Sequence, residues 1–324
     1  MVKRALPIVL LALAGCAVAA PGAAADGASI TASASGVTLS GSQYRYVALS
    51  PGRRHRVTVV ARIDLKGGRV GRWWYLPGGY YVPAVAYDRS AGGLSADGRT
   101  LVLTQLPRAF PPKATRFAVL DTDLHLRHPR RAGQRRPPGA VTRVDLDGDF
   151  SFDAISPDGS TIYLIHNLHP PGRPAGYEVR ALDTASWRLL PKPIVDPDEP
   201  DERMQGLPIT RTSSADGRWA YTLYDGNGKE PFIHALDTVG GRAVCVDLPQ
   251  LEDRRDPFLL FLLKMRLAQA GRELVVFSRS PGQGNPPSPP LLGVDTRTFA
   301  VHRPAPAAGA PRGGGGGGGV GVGG

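Results

Sequence analysis

One short phrase recurs four times along this chain: LSADGRTLVL at 94–103, ISPDGSTIYL at 155–164, SSADGRWAYTL at 213–223 and, degraded, RLAQAGRELVVF at 266–277. Each sets a tight turn, Asp-Gly in three copies and Ala-Gly in the last, before a run of alternating apolar residues. That combination is the strongest short-range signal for a β-hairpin. A second phrase follows each copy: FAVLDT, VRALDT, IHALDT, LLGVDT. The turn glycines Gly98, Gly159, Gly217 and Gly271 are 61, 58 and 54 residues apart, while Asp121, Asp183, Asp237 and Asp295 are 62, 54 and 58 apart. Within a unit the Gly-to-Asp offset is 23, 24, 20 or 24. A phase held this steadily marks a repeat architecture, in which neighbouring units bury each other's apolar faces.

The runs TLVLTQ, TIYLIHN, WAYTLYD and ELVVFS alternate with period two, and helical spacing is sustained nowhere except in FLLFLLKMRLAQ (258–269), which a strand covers equally well. Four short strands fit each unit, in the third as DFSFDAIS, STIYLIHN, GYEVRALDT and WRLLPKPIV. Four-stranded units that close radially solve the problem of exposed sheet edges, so the predicted class is all-β, a β-propeller of about five four-stranded blades. The SPDG–strand–turn–DT pattern resembles the YVTN and WD-repeat-like propeller families of exported bacterial proteins over roughly residues 44–303. The units are longer than usual for these families, and no YVTN-like tetrapeptide is present. The first unit is irregular: in LSPGRRHRVTVVARID, Gly52 stands only 12 residues before Asp64. That leaves the first blade incomplete, with a sixth, degenerate blade conceivable inside 80–94.

The N-terminus MVKRALPIVLLALAGCAVAAPGAAADG combines Lys3 and Arg4 with an apolar stretch too short to span a bilayer comfortably, the pattern of a signal peptide over 1–25. Leu13-Ala14-Gly15-Cys16 resembles the lipobox of bacterial lipoproteins, which makes Cys16 a lipidation site; Ala23-Ala24-Ala25 offers ordinary signal peptidase an alternative. Residues 26–43 read as a linker that could add one edge strand, 44–303 as the propeller, and 304–324 as a disordered Pro/Ala/Gly-rich tail. The expected location is extracytoplasmic, membrane-anchored or secreted. Cys245, in AVCVDL, has no intrachain partner and is expected to be a small buried side chain.

A net charge of +11 invites a nucleic-acid reading, but the arginines scatter among turns and aromatics do not interleave with them. Outside a cell the natural counterparts are anionic lipids or wall polymers. A local cluster, Arg127, His128, Arg130, Arg131, Arg135 and Arg136, sits in a Pro/Gly-rich insertion and reads as a solvated loop able to contact a polyanion.

Blade geometry places the Asp-Gly and Asp-Thr turns on one face, where Asp97, Asp158 and Asp216 are expected to serve the turns themselves. Irregular loops occupy the other face: LPRAFPPKA, NLHPPGRPAG, DGNGKEP, SPGQGNPPSPP and DPDEPDERMQG. Variable loops on a rigid frame are where binding usually resides. The candidates at the channel mouth on that face are Asp149, Asp153 and Arg211, with His166 and Asn167 at a strand end. His166 and His169 lack a third metal ligand, and DLDGDFSFD departs from a calcium loop at Phe150 and Ser156. A looser calcium site on Asp145, Asp147 and Asp149 stays a minor alternative, and no cofactor or metal is assigned. No GxSxG, HExxH, CxxC or GxxxxGK motif is present. The expected function is an exported, lipid-anchored binding module of the cell envelope. The propeller resemblance also implies an alternative, a lactonase-type hydrolase working from the channel mouth.

Overall fold

A computed structural model describes residues 32–49, 57–107, 109–122, 141–169, 176–200, 204–254, 257–279 and 289–303. Cys16, the basic cluster at 127–136, Gly52 and the C-terminal tail lie outside the described residues. Each repeat unit folds as one antiparallel sheet whose strands follow chain order. The first sheet holds β1 (Tyr44–Leu49), β2 (Val57–Asp64) and β3 (Val70–Pro77). The second holds β4 (Tyr80–Tyr81), β5 (Thr100–Gln105), β6 (Ala114–Asp121) and β7 (Val141–Asp147). The third holds β8 (Asp149–Ile155), β9 (Thr161–Leu168), β10 (Gly176–Asp183) and β11 (Arg188–Leu189), at the positions read from the sequence. The fourth holds β12 (Pro208–Ser213), β13 (Trp219–Tyr224), β14 (Phe232–Asp237) and β15 (Arg242–Asp247). The fifth holds β16 (Leu263–Ala268), β17 (Glu273–Ser278), β18 (Pro290–Asp295) and β19 (Val301–His302). The protein is an all-β propeller of five blades. Residues 258–269 are split: Pro257–Leu260 makes one helical turn before β16 begins at Leu263.

Local chemistry explains the fixed phase. In three copies a serine and an aspartate close the turn together: Ser156 Oγ donates to Asp158 at 2.7 Å, Ser160 N donates to Asp158 at 3.0 Å, and Thr161 N donates to Ser156 Oγ at 2.9 Å. The turn glycines take φ of 74°, 75°, 73° and 88°, a region costly for any residue with a Cβ. The second phrase closes onto the first, since the threonine of each Asp-Thr reaches back to the carbonyl of its turn glycine. Thr184 Oγ1 donates to Gly159 O at 3.1 Å, Thr238 to Gly217 O at 2.9 Å and Thr296 to Gly271 O at 2.8 Å, and Thr122 does the same to Gly98. Both kinds of turn therefore share one face; Asp97, Asp158, Asp183, Asp216 and Asp295 accept from turn backbone N–H groups, as does Asp237, which also holds Arg218 and Arg242.

The first blade obeys the same phase from an unexpected glycine. Gly41 has φ 74°, and the turn around it precedes β1, with Ser42 N donating to Leu39 O at 3.0 Å. Asp64 follows Gly41 by 23 residues, as in the other units. The innermost strand is reduced to single bridges, Val37 to Tyr46 and Ser33 to Val82 of the second blade. Residues 32–43 thus belong to the first blade's inner edge.

Alternation along each strand sends one set of side chains to each neighbouring blade. Tyr46, Val60 and Leu76 pack on Leu101, Leu103 and Leu120 between blades one and two. Phe117, Phe150, Phe152 and Leu164 fill the space between blades two and three. A small cluster around Tyr163, Val179, Ala220 and Leu236 joins blades three and four, and a large one around Leu223, Ile233, Leu263 and Leu274 joins four and five. Among the described residues no buried cluster joins the fifth blade to the first, whose outer face leaves Leu49, Val57, Trp73 and Tyr75 exposed.

Residues 80–94 form no sixth blade. After β4 the chain makes a narrow hairpin, with Ala84 bridged to Ala91, that crosses the hub to the innermost strands of blades four and five. Tyr87 N donates to Pro208 O at 2.8 Å, and Asp88 Oδ2 accepts from Thr210 Oγ1 at 2.6 Å and from Lys264 Nζ at 2.9 Å. Burial works to raise the Asp88 pKa, but hydrogen bonds from Ser90, Thr210 and Lys264 outweigh it and hold the carboxyl below its ordinary range.

Candidate functional site

The hairpin bonds to β12 at Pro208 and Thr210, its loop-bearing end. The residues expected at the channel mouth sort by the face of their strand. Asp149, Asp153 and Asn167 point from the third blade toward the fourth, and Arg211 answers from the fourth. His166 points the other way: it stacks on Phe150 with ring centroids 4.3 Å apart and meets Glu178 at 3.3 Å.

Asp153 and Arg211 are brought together as a buried ion pair, with side chains only 3% and 7% exposed. Asp153 owes its aim to a β-bulge, because the register slips between Phe152 and Ala154 and leaves it as the extra residue. Arg211 begins a row across the fourth sheet: it is paired with Thr222, Thr222 with His234, and His234 with Cys245. A matching row crosses the third sheet, Asp149 beside Asn167 and Asn167 beside Tyr177. Asp149 is buried and meets His169 Nε2 at 2.9 Å. The rings of Tyr177 and Tyr224 lie 5.4 Å apart across the interface.

Eight buried side-chain polar atoms lack a partner among the described residues, and six line this one interface: Ser151 Oγ, Asp153 Oδ2, Asn167 Nδ2, Arg211 Nε, Thr222 Oγ1 and His234 Nε2. An unsatisfied buried polar atom costs about 1–3 kcal/mol, so a concentration of them on one surface singles it out as the candidate site. Burial pushes the His234 pKa down to about 4, Asp153 and Asp196 oppose that, and Arg211 reinforces it. The imidazole is therefore neutral at physiological pH. Burial and the neighbouring Tyr224 raise the Tyr177 phenol, which stays protonated.

At its outer end the interface opens into a cleft of about 300 Å³ lined by Tyr177, Asp196, Met204, His234 and Cys245 among others. Asp196 Oδ2 accepts from Cys245 N at 2.7 Å and Asp196 Oδ1 from Asp198 N at 3.0 Å. Cys245 is half-buried and in no disulfide. A second cleft of about 340 Å³ lies beside Asp149, Phe150 and Thr115 under the 105–114 loop. Among the described residues no three of His, Cys, Asp and Glu are grouped to hold a metal ion, and no helix is long and apolar enough to cross a membrane.

His234, Thr222 and Tyr177 escaped the sequence reading. For Thr222 and His234 the available signal was alternation itself: polar residues in WAYTLYD and FIHALD at positions that face a neighbouring blade.

No protein-family model and no curated protein matches the chain. Solved structures similar to it include TolB from Acinetobacter baumannii, 15% identical over 81% of this chain and 52% of that one, with a TM-score of 0.38. The β-propeller domain of Cps50 (Swd1) from Myceliophteria thermophila is 12% identical over 76% and 63%, with a TM-score of 0.39. AztD from Citrobacter koseri is 15% identical over 79% and 58%, with a TM-score of 0.34. This chain spans less than two thirds of each of these structures, and at such scores they carry no argument about what it binds or does.

Proposed function

We propose that this chain is an exported, lipid-anchored β-propeller of the YVTN/WD-repeat-like kind that acts as a binding module in the cell envelope. The observation that supports it most is the concentration of six unpartnered buried polar atoms at one blade interface, ending in a cleft. Binding sites are concave, largely apolar and furnished with a few convergent polar groups, and the interface of blades three and four has that character. Residues 1–25 would serve as signal peptide, acylated Cys16 as tether, 26–31 as spacer and 304–324 as a tail without a packed core. Arg127, Arg130, Arg131, Arg135 and Arg136 would form an accessory contact for anionic envelope polymers. Thermal unfolding with cationic, neutral and anionic small solutes tests the binding role. A solute that raises Tm of the full chain but not of His234→Gln supports it, and equal shifts in both proteins, or none, reject the interface as the site. Membrane fractionation of Cys16→Ser tests the tether, which is rejected if the variant stays membrane-bound.

A second reading, a lactonase-type hydrolase, draws support from one pair. Buried Asp149 holds His169, itself about one-third exposed, at 2.9 Å, and a carboxylate that orients an imidazole can prepare a general base. Lactone hydrolysis followed by pH-stat, with and without Ca²⁺, decides it. Turnover that falls about a hundredfold or more in His169→Gln supports catalysis; no turnover by the native chain rejects it.

A further inference from the structure

The outer cleft of the third–fourth blade interface has a charge opposite to that of the chain. The protein carries +11, yet among the described residues the cleft lining contains Glu178, Asp196 and Glu199 and no lysine or arginine. These carboxylates are not equivalent. Glu178 is met by Arg180 at 3.2 Å and by His166 at 3.3 Å, so its charge is already answered. Asp196 is 8% exposed and accepts two backbone N–H groups, with no cationic partner among the described residues. Backbone donors orient a carboxylate without cancelling its charge, which leaves a fixed negative group at the cleft wall. Just outside, burial first and the neighbouring Glu199 second raise the pKa of Asp247.

The floor supplies the independent observation. His234 is 1% exposed, lines the cleft, and its Nε2 has no partner among the described residues. As a neutral ring it can accept a hydrogen bond from an N–H donor. Around it stand Leu168, Ile194 and Met204 with Tyr177, a wall suited to methylene groups. The surroundings join a buried carboxylate, a neutral imidazole, an aromatic ring and aliphatic side chains. An anion would meet Asp196 directly and be repelled. A metal ion would need a ligand group that the described residues do not assemble.

We propose that this cleft binds an organic cation, an ammonium or guanidinium group on a short aliphatic chain, with Asp196 as counter-charge, His234 as floor and Tyr177 with Met204 flanking the chain. The proposal rests on the binding role assigned above to this interface and names the chemical class of its ligand. Cation and carboxylate meet in a partly desolvated setting, where a charge-assisted hydrogen bond is strongest. Glu199 at the mouth adds attraction that salt will screen.

Agmatine, n-pentanol and glutarate are the cationic, neutral and anionic probes. They are titrated into the full chain, purified in detergent and labelled for imidazole resonances, with His234 assigned from His234→Gln. Agmatine is expected to saturate one site and shift the His234 resonance. Asp196→Asn is expected to weaken it about tenfold or more, and Glu199→Gln a few-fold with a shallower salt dependence. Glu199 is exposed, so its variant tests the charge without threatening the fold, and circular dichroism checks Asp196→Asn. Agmatine binding unchanged in both variants overturns the proposal. Pentanol or glutarate shifting His234 while agmatine does not overturns the cation assignment but keeps the interface as a site. If no probe moves His234, the binding role of the interface falls as well.

Discussion

The fourth blade faces two neighbours with the same four strands, and the two faces could hardly differ more. Toward blade five, alternate residues Tyr221, Leu223, Ile233 and Val246 join a cluster of fifteen buried apolar side chains. Toward blade three, the residues between them are Arg211, Thr222, His234 and Cys245, and the apolar cluster shrinks to six members. Burial of apolar area stabilises by about 25 cal/mol per Å², whereas buried polar groups at best break even and cost when unpartnered. Parity within one strand therefore divides labour: one face builds the protein and the other holds its polar equipment.

The contrast can be broken most sharply at the buried Asp153–Arg211 ion pair. Asp153→Ala leaves Arg211 buried without a counter-charge and is expected to cost about 3–5 kcal/mol in urea unfolding, while Asp153→Leu combined with Arg211→Met should be near neutral. A loss below 1 kcal/mol for the single variant would show that the two interfaces do not differ as described. On the apolar face, Leu274→Ala should cost about 2–4 kcal/mol by the same measurement, with no rescue by any polar partner.

His234 sharpens the comparison through pH. Its pKa is about 4 in the fold against an ordinary 6.5, so the unfolded chain binds more protons between those values. Stability from this group is complete above pH 6.5 and declines as pH falls toward 4, by about 3 kcal/mol in all. His234→Leu should flatten that limb of the stability–pH curve while leaving stability at pH 7 equal or higher; an unchanged limb would remove His234 as its source. The smallest effect belongs to the repeat itself. Thr184→Val deletes a bond to Gly159 O and should cost about 1 kcal/mol, whichever interface is considered.

Phase and alternation carried most of the fold in readable form, because the Ser-x-Asp-Gly turn and the Asp-Thr that bonds to it are both local. The first unit was misread at Gly52 because its true turn, Leu39 to Gln43, has no Asp before Gly41, and Leu65 replaces the expected threonine after Asp64. The hub hairpin left no local trace, since Asp88 meets partners on two distant blades. Of the candidate residues, Asp153 and Arg211 belong to one pair, yet nothing near either reveals it; a bulge at Phe152–Ala154 decides where Asp153 points. His166 was grouped with Asn167 by adjacency, although neighbours in a strand face opposite ways.

The hairpin across the hub also orders the events of synthesis. Thr210 lies 122 residues and Lys264 176 residues beyond Asp88, so the ribosome delivers this carboxylate long before its partners. Contacts of such separation pay a loop-closure cost and form late. A nascent chain stalled before Lys264 would hold four sheets and an Asp88 carboxylate still without its lysine.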